Sequence, residues 1–212
     1  MSSAGTTSRQ ERRHRETRDE ILRAARRIVI ESGAQKLTVR EIARRADFTP
    51  SALYRYFEHG RQEILVEIAR GSLVVLEGHL ERVPVDLPPD ERIVEMGMVY
   101  LEFSRDHAEE VTLLFDSITA MDSFDLETAD EALLMPTGIL QLIIEALREG
   151  VAQGLFVISD DDLQLVMHGA WSYVHGLAMV ERLHEHHEVL FGDRARDLLR
   201  AFVNGLNTQW VR

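Results

Sequence analysis

The stretch TVREIARRADFTPSALYRYF, Thr38 to Phe57, holds two helix starts separated by a tight break. Thr38 followed three residues later by Glu41 reads as a capping box, in which the hydroxyl accepts from a free N–H and the carboxylate reaches back to the cap. Val39, Ile42, Ala43 and Ala46 give this helix an apolar face over about two turns. Asp47-Phe48 breaks it and Thr49-Pro50 restarts it, because Thr caps well and Pro fits the first helical position, where its missing N–H does no harm. Leu53 and Phe57 then fall one turn apart. Two short helices in this order follow helix-turn-helix logic. Thr49, Pro50, Ser51 and Ala52 open the second helix, and small Thr49, Ser51 and Ala52 let a backbone approach base edges in a major groove. Tyr54, Arg55 and Tyr56 carry donors long enough to reach phosphates. A plain helical hairpin with solvated arginines is the alternative.

On the N-terminal side, Thr17 and Glu20 form a second capping box, with Ile21, Ala25 and Ile28 on a buried face and Gly33 as the stop. Residues 1–16, with Arg9, Arg12, Arg13 and Arg15, show no sustained apolar period and read as a flexible basic arm. On the C-terminal side, Ile64, Leu65, Ile68, Ala69, Leu73 and Leu76 keep helical spacing to Val83, and Pro84, Pro88 and Pro89 form the next break. Further helices are expected at about Asp90–Ser104, Asp106–Phe115, Thr128–Ala152, Ser159–Leu183 and Asp193–Val211. Capping boxes mark Asp106/Glu109, Thr128/Glu131 and Ser159/Asp162, and Pro136 marks either a kink or a true helix start. No alternating strand run competes. The expected fold class is all-α, about nine helices, with an N-terminal three-helix domain and a larger helical domain.

The chain has 212 residues and a formal net charge of −12. That charge is uneven: residues 1–70 carry 15 Lys and Arg against 10 Asp and Glu, whereas the remainder carries 9 against 26. A basic head suits a polyanion, and the acidic remainder suits solubility and self-contact. Exposed charges further apart than about 8–10 Å are largely screened at physiological salt, so the acidic body costs the head little. Zero cysteines excludes disulfides and thiolate sites. Without a run long enough to span a membrane or a secretory signal, the expected location is the cytoplasm.

With its flanking leucine, LTVREIARRADFTPSALYRYF resembles the DNA-binding segment of the TetR family of bacterial transcriptional regulators, and the helix from Thr17 to Gly33 resembles that family's first helix. The resemblance implies a helix-turn-helix domain over residues 17–65 and an effector-binding and dimerisation domain over 66–212. It places Thr49, Ser51 and Ala52 against bases, and Thr38, Tyr54 and Tyr56 against phosphates. Two positions depart from the family pattern: Asp47 stands where Gly is common in the turn, and Gly60 stands where a phosphate-binding Lys is common. Arg61 is expected to take over that phosphate contact. The Arg-rich arm can add phosphate or minor-groove contacts.

In DLQLVMHGAWSYVHGLAMVERL, apolar residues repeat with helical spacing on a stripe wide enough to be buried on more than one side. With the last helix it supplies the expected homodimer interface: Trp171, Val174, Ala178, Leu199, Phe202 and Leu206. Trp171 and His175-Gly176 also resemble a C-terminal class of the family named for its Trp-His-Gly signature. Met96, Tyr100, Phe103, Phe115, Met135, Leu142, His168 and Trp171 are the candidate effector-binding residues, being adaptable apolar groups with polar anchors among them, and ordinary core is the alternative. HEHHE, His184 to Glu188, has helical spacing that can chelate a metal, but a solvated helix end accounts for it and no metal or cofactor is assigned.

Together these features lead to an expected ligand-responsive regulator, a repressor released from a pseudo-palindromic operator on double-stranded DNA by a small apolar effector. No nucleophile–base pair or phosphate-binding Gly loop points to an enzyme. The alternatives are an architectural DNA binder without effector, and a helical ligand-binding protein or enzyme carrying a hairpin of this kind.

Overall fold

Local signals and tertiary packing agree around the opening stretch and part company beyond it. The computed structural model describes residues 9–121, 138–182 and 191–207. Among these residues are nine α-helices and no strand: α1 (Arg9–Ser32), α2 (Val39–Arg45), α3 (Pro50–Leu53), α4 (Arg61–Leu80), α5 (Pro89–Asp106), α6 (Ala108–Thr119), α7 (Ile139–Ala152), α8 (Leu163–Arg182) and α9 (Ala195–Gly205). None is long and apolar enough to cross a membrane. Thr128, Glu131, Met135, Pro136 and the His184–Glu188 cluster lie outside the described residues.

α1 corrects one expectation. It starts at Arg9, so Arg12, Arg13 and Arg15 belong to a helix and not to a flexible arm. Thr17 does not cap; its hydroxyl donates to the Arg13 carbonyl at 3.0 Å, the back-bond by which Thr is absorbed within a helix. Ile21, Ala24, Ala25, Ile28 and Val29 form the buried face.

α2 begins as its sequence dictates: Thr38 is extended, and its Oγ1 accepts from Glu41 N at 3.2 Å. The second half of the box is used differently, because the Glu41 carboxylate binds Arg44 (2.6 and 2.9 Å) and Arg45 (2.9 Å). The helix closes in a Schellman turn. Asp47 takes φ 59°, and Phe48 N donates back to Ala43 O at 2.8 Å. Asp tolerates the left-handed region better than most residues, so the turn forms without Gly. Thr49 Oγ1 then accepts from Ala52 N at 3.2 Å and Pro50 opens α3.

Two compact units result. One comprises residues 9–72 with 111–121, and the other residues 73–110, 138–182 and 191–207. The first is not a continuous N-terminal segment ending at residue 65, since Leu113 and Ala120 of the α6 region join Ile21, Ile42, Leu53, Phe57 and Leu65 in its core. In the second, α5 packs against α7, α8 and α9. Ion pairs fasten its flanks, Arg196 to Glu95 and Arg200 to Glu91 (2.8 Å). Ser159 donates to Asp162 Oδ2 at 2.5 Å without capping, and a 3₁₀ turn, Asp160–Asp162, precedes α8. Asp106 likewise ends α5 and starts nothing.

Candidate functional site

Thr38, Thr49, Pro50, Ser51, Tyr54 and Arg55 are all exposed, and Ala52 is partly so. They form a polar tip on a unit whose core is closed beneath them: Leu53 and Phe57 are completely buried. Arg18 fixes that tip from below. Its guanidinium lies 4.2 Å from the Phe57 ring centroid, donates to the Tyr56 carbonyl, and pairs with Glu63 (3.2 Å) and Glu67 (3.5 Å). Tyr56 is partly buried, its ring 4.9 Å from that of His14 and 6.1 Å from that of Phe48, so it supports the tip as well as bordering it.

Arg61 is a correction. Its guanidinium donates to three main-chain carbonyls, Leu37 (2.9 Å), Ala120 (2.9 Å) and Ala34 (3.4 Å), and it is partly buried. Those acceptors hold the turn before α2 and the end of α6, which leaves Arg61 directed inward instead of at a phosphate. Gly60 explains the other departure from the family pattern: its φ is +58°, and an added Cβ would meet Tyr54 Cε1 at 2.9 Å. A lysine there would be strained by both backbone and ring.

The second unit contains an apolar cavity of about 50 Å³, lined from α4 by Leu80, from α5 by Ile93, Met96, Gly97 and Tyr100, from α7 by Ile143, from α8 by Ala170, Trp171, Tyr173 and Val174, and from α9 by Leu199, Phe202 and Val203. Of the residues expected there, Met96, Tyr100 and Trp171 meet at it. Leu142 gives way to its neighbour Ile143. Phe103 instead stacks on His107 (5.0 Å) and meets His79 edge-on (5.3 Å). Phe115 belongs to the first unit. His168 lines a shallower groove with Leu165, Val166, Gly169, Ser172 and Phe202, its Nδ1 2.8 Å from Gln164 O.

His175, expected only as part of a signature, has its Nδ1 2.8 Å from the Tyr100 hydroxyl. Burial pushes the imidazole below, and the phenol above, their ordinary ranges, so both are held neutral. Most of the residues expected at a dimer interface are used inside the chain. Val174, Ala178, Leu199 and Leu206 are buried within the chain, and the exposed strip of α8 is Leu165, Gly169, Ser172, Gly176 and Val180.

A capped helix-turn-helix unit joined to a helical unit with an apolar cavity defines a class of two-part DNA-binding regulator. Residues 21–68 match the family model described as bacterial regulatory proteins, tetR family, and residues 93–206 match the tetracyclin repressor-like C-terminal domain. The chain belongs to the TetR family of DNA-binding transcriptional regulators, which are not enzymes. It is similar to a TetR-family regulator from Shewanella sp. PV-4, at 17% identity and TM-score 0.72 over 92% of this chain and 99% of that one. It is also similar to Thermus thermophilus FadR in complex with lauroyl-CoA (21%, TM-score 0.63, 92% and 96%). RolR in complex with resorcinol is a third structural relative (18%, TM-score 0.63, 93% and 91%). These likenesses show the fold. No curated protein matches the sequence.

Proposed function

We propose that the chain is a cytoplasmic homodimeric repressor that binds a pseudo-palindromic operator and leaves it when a small apolar molecule occupies the cavity of the second unit. Thr49, Ser51 and Ala52 read bases, and Thr38, Tyr54 and Arg55 hold phosphates. Two structural relatives carry organic ligands, resorcinol in one and lauroyl-CoA in the other, which supports a ligand for this chain as well. The dimer is assigned to the exposed strip Leu165, Gly169, Ser172, Gly176 and Val180, whose small residues let a second helix approach closely.

The observation that carries the effector half is the placement of Leu80. It lines the cavity and ends α4, the helix whose first residue, Arg61, grips the carbonyls of Ala34 and Leu37 beside α2. An occupant that displaces Leu80 acts on that helix. The ligand must favour the displaced state, because equal affinity for both states shifts nothing. Selection of random duplexes by the purified protein should return two inverted half-sites about one helical turn apart. Recovery of only asymmetric or non-specific DNA overturns the operator assignment. A ligand that releases the selected DNA should itself bind more weakly, by the same factor, when that DNA is present.

A further inference from the structure

If the chain is the ligand-responsive regulator proposed for it, the cavity in the second unit restricts the chemistry of the effector. Among the described residues, no carboxylate, ammonium or guanidinium lines it. An ionised ligand would be desolvated there without a partner, a cost that excludes it. Of the lining side chains, those of Tyr100 and Tyr173 bear hydroxyls. Tyr173 spends its hydroxyl on the fold, donating to the Leu198 carbonyl of α9 at 3.1 Å while its ring stacks on Phe202 at 5.0 Å.

Tyr100 differs. It is 2% exposed, its ring stands edge-on to Trp171 at 5.1 Å, and its hydroxyl meets a side chain, His175, at 2.8 Å. A hydroxyl offers one donor and two lone pairs, so one hydrogen bond to a neutral imidazole leaves it able to engage a ligand group. If the phenol donates to the ring, that group must be a donor; if the other tautomer donates to the phenol, the phenol O–H is available to an acceptor. A ligand hydroxyl satisfies either arrangement.

Volume sets the size. About 50 Å³ is free, whereas a dry apolar cavity of about 150 Å³ accommodates a benzene ring. The difference is about the volume of one side chain. Leu199 is the candidate to yield it: the tip of its flexible side chain fills the notch over Gly97, where an added Cβ would meet its two methyl carbons at 2.8 and 2.9 Å. We infer that the site takes an uncharged molecule with an apolar body of about one ring and a single hydroxyl, which hydrogen-bonds to the Tyr100 hydroxyl and displaces the tip of Leu199.

Phenol, toluene and benzoate share a ring and differ in that one group, which makes them the probes. Calorimetric titration of the full chain should show phenol binding and benzoate at least about a hundredfold weaker. In Tyr100→Phe the affinity ratio of phenol to toluene should fall about tenfold, in line with the loss of one buried hydrogen-bond partner. Toluene should hold within about threefold, which also shows that the variant keeps its pocket. Gly97→Ala, which drives Leu199 into the cavity, should weaken phenol and toluene alike by at least about tenfold. The inference is overturned by benzoate matching phenol, by an unchanged phenol-to-toluene ratio in Tyr100→Phe, by phenol binding that ignores Gly97→Ala, or by no binding of phenol to the unaltered chain. Operator selection on the same preparations separates the two failures, since a chain that shows the phenol pattern but selects no DNA contradicts the regulator reading and not the pocket chemistry.

Discussion

Beneath the helix-turn-helix tip of the first unit and around the cavity of the second, polar side chains are used differently. In the first, polar groups hold main chain: Thr38 and Thr49 cap helices, Arg61 grips three carbonyls, and Arg18 holds the Tyr56 carbonyl beneath the tip. In the second, charges pair with charges on partly or fully exposed flanks, as in Arg196–Glu95 and Arg200–Glu91, while the interior is apolar and leaves a cavity. A surface that must present fixed atoms to a duplex gains from backbone fixed by directional bonds. A pocket that must admit a guest gains from side chains held by non-directional packing, which can move at modest cost.

The largest expected effect tests the rigidity of the first unit. Phe57→Ala removes a fully buried ring and the seat of the Arg18 guanidinium. It should cost about 3–5 kcal/mol. Hydrogen exchange by mass spectrometry should show α1 to α3 losing protection while α5 keeps it. Equal loss in both units would remove the distinction between them.

Arg61→Ala should follow, at about 1–3 kcal/mol, because it takes a side-chain donor from three carbonyls, of which Ala34 O still accepts from Leu37 N. The slope of log affinity for operator against log salt should stay unchanged, whereas Arg55→Ala should flatten it by about one ion. A flattened slope for Arg61→Ala would return that residue to the phosphates and contradict the geometry.

Acid gives the smallest effect and separates the units by pH. Burial lowers the folded value of His175 beneath the ordinary 6.5. The stability linked to it is therefore present above about that pH and is lost as pH falls through the lowered value. In the first unit, Arg44 and then Arg45 hold the Glu41 carboxyl at about 2 instead of 4.5. Its contribution is present above about 4.5 and disappears as pH falls through about 2. Glu41 is partly exposed, so the effect is modest and weakens with salt. Urea melts should show the second unit softening first on acidification from pH 7, and the wild type and Glu41→Gln converging as pH falls below about 2. A difference between them that persisted well below about pH 2 would deny the carboxylate this role.

Legibility in the sequence follows the range of the interaction. Thr38, Asp47, Thr49 and Pro50 act on neighbours three to five residues away, and each of their helix boundaries can be read directly. Thr17 shows the limit of even a local signal, because a threonine that can cap can also back-bond to residue 13 inside a longer helix. Arg61 misleads because one of its acceptors, Ala120, lies 59 residues away. In the second unit, helical periodicity identifies Met96, Tyr100 and Trp171 as inward. It cannot show that Leu199 rests in the notch at Gly97, that His175 meets Tyr100, or that Val174 and Ala178 face inward while Gly169 and Gly176 face out. Those facts depend on how four helices pack together.

The ring of Tyr54 lying over Gly60 makes these two positions historically contingent on each other. A cation at residue 60 would have to enter a left-handed backbone and push against that ring, so it is disfavoured while Tyr54 remains. Shortening Tyr54 first opens the space but discards the hydroxyl proposed to hold a phosphate before another contact has replaced it. Neither single step improves the grip on DNA, although the pair together can, and their effects should be non-additive. The order in which changes arrive thus decides which are accessible, and a lineage that settled on Tyr54 with Gly60 is expected to vary its phosphate contacts elsewhere.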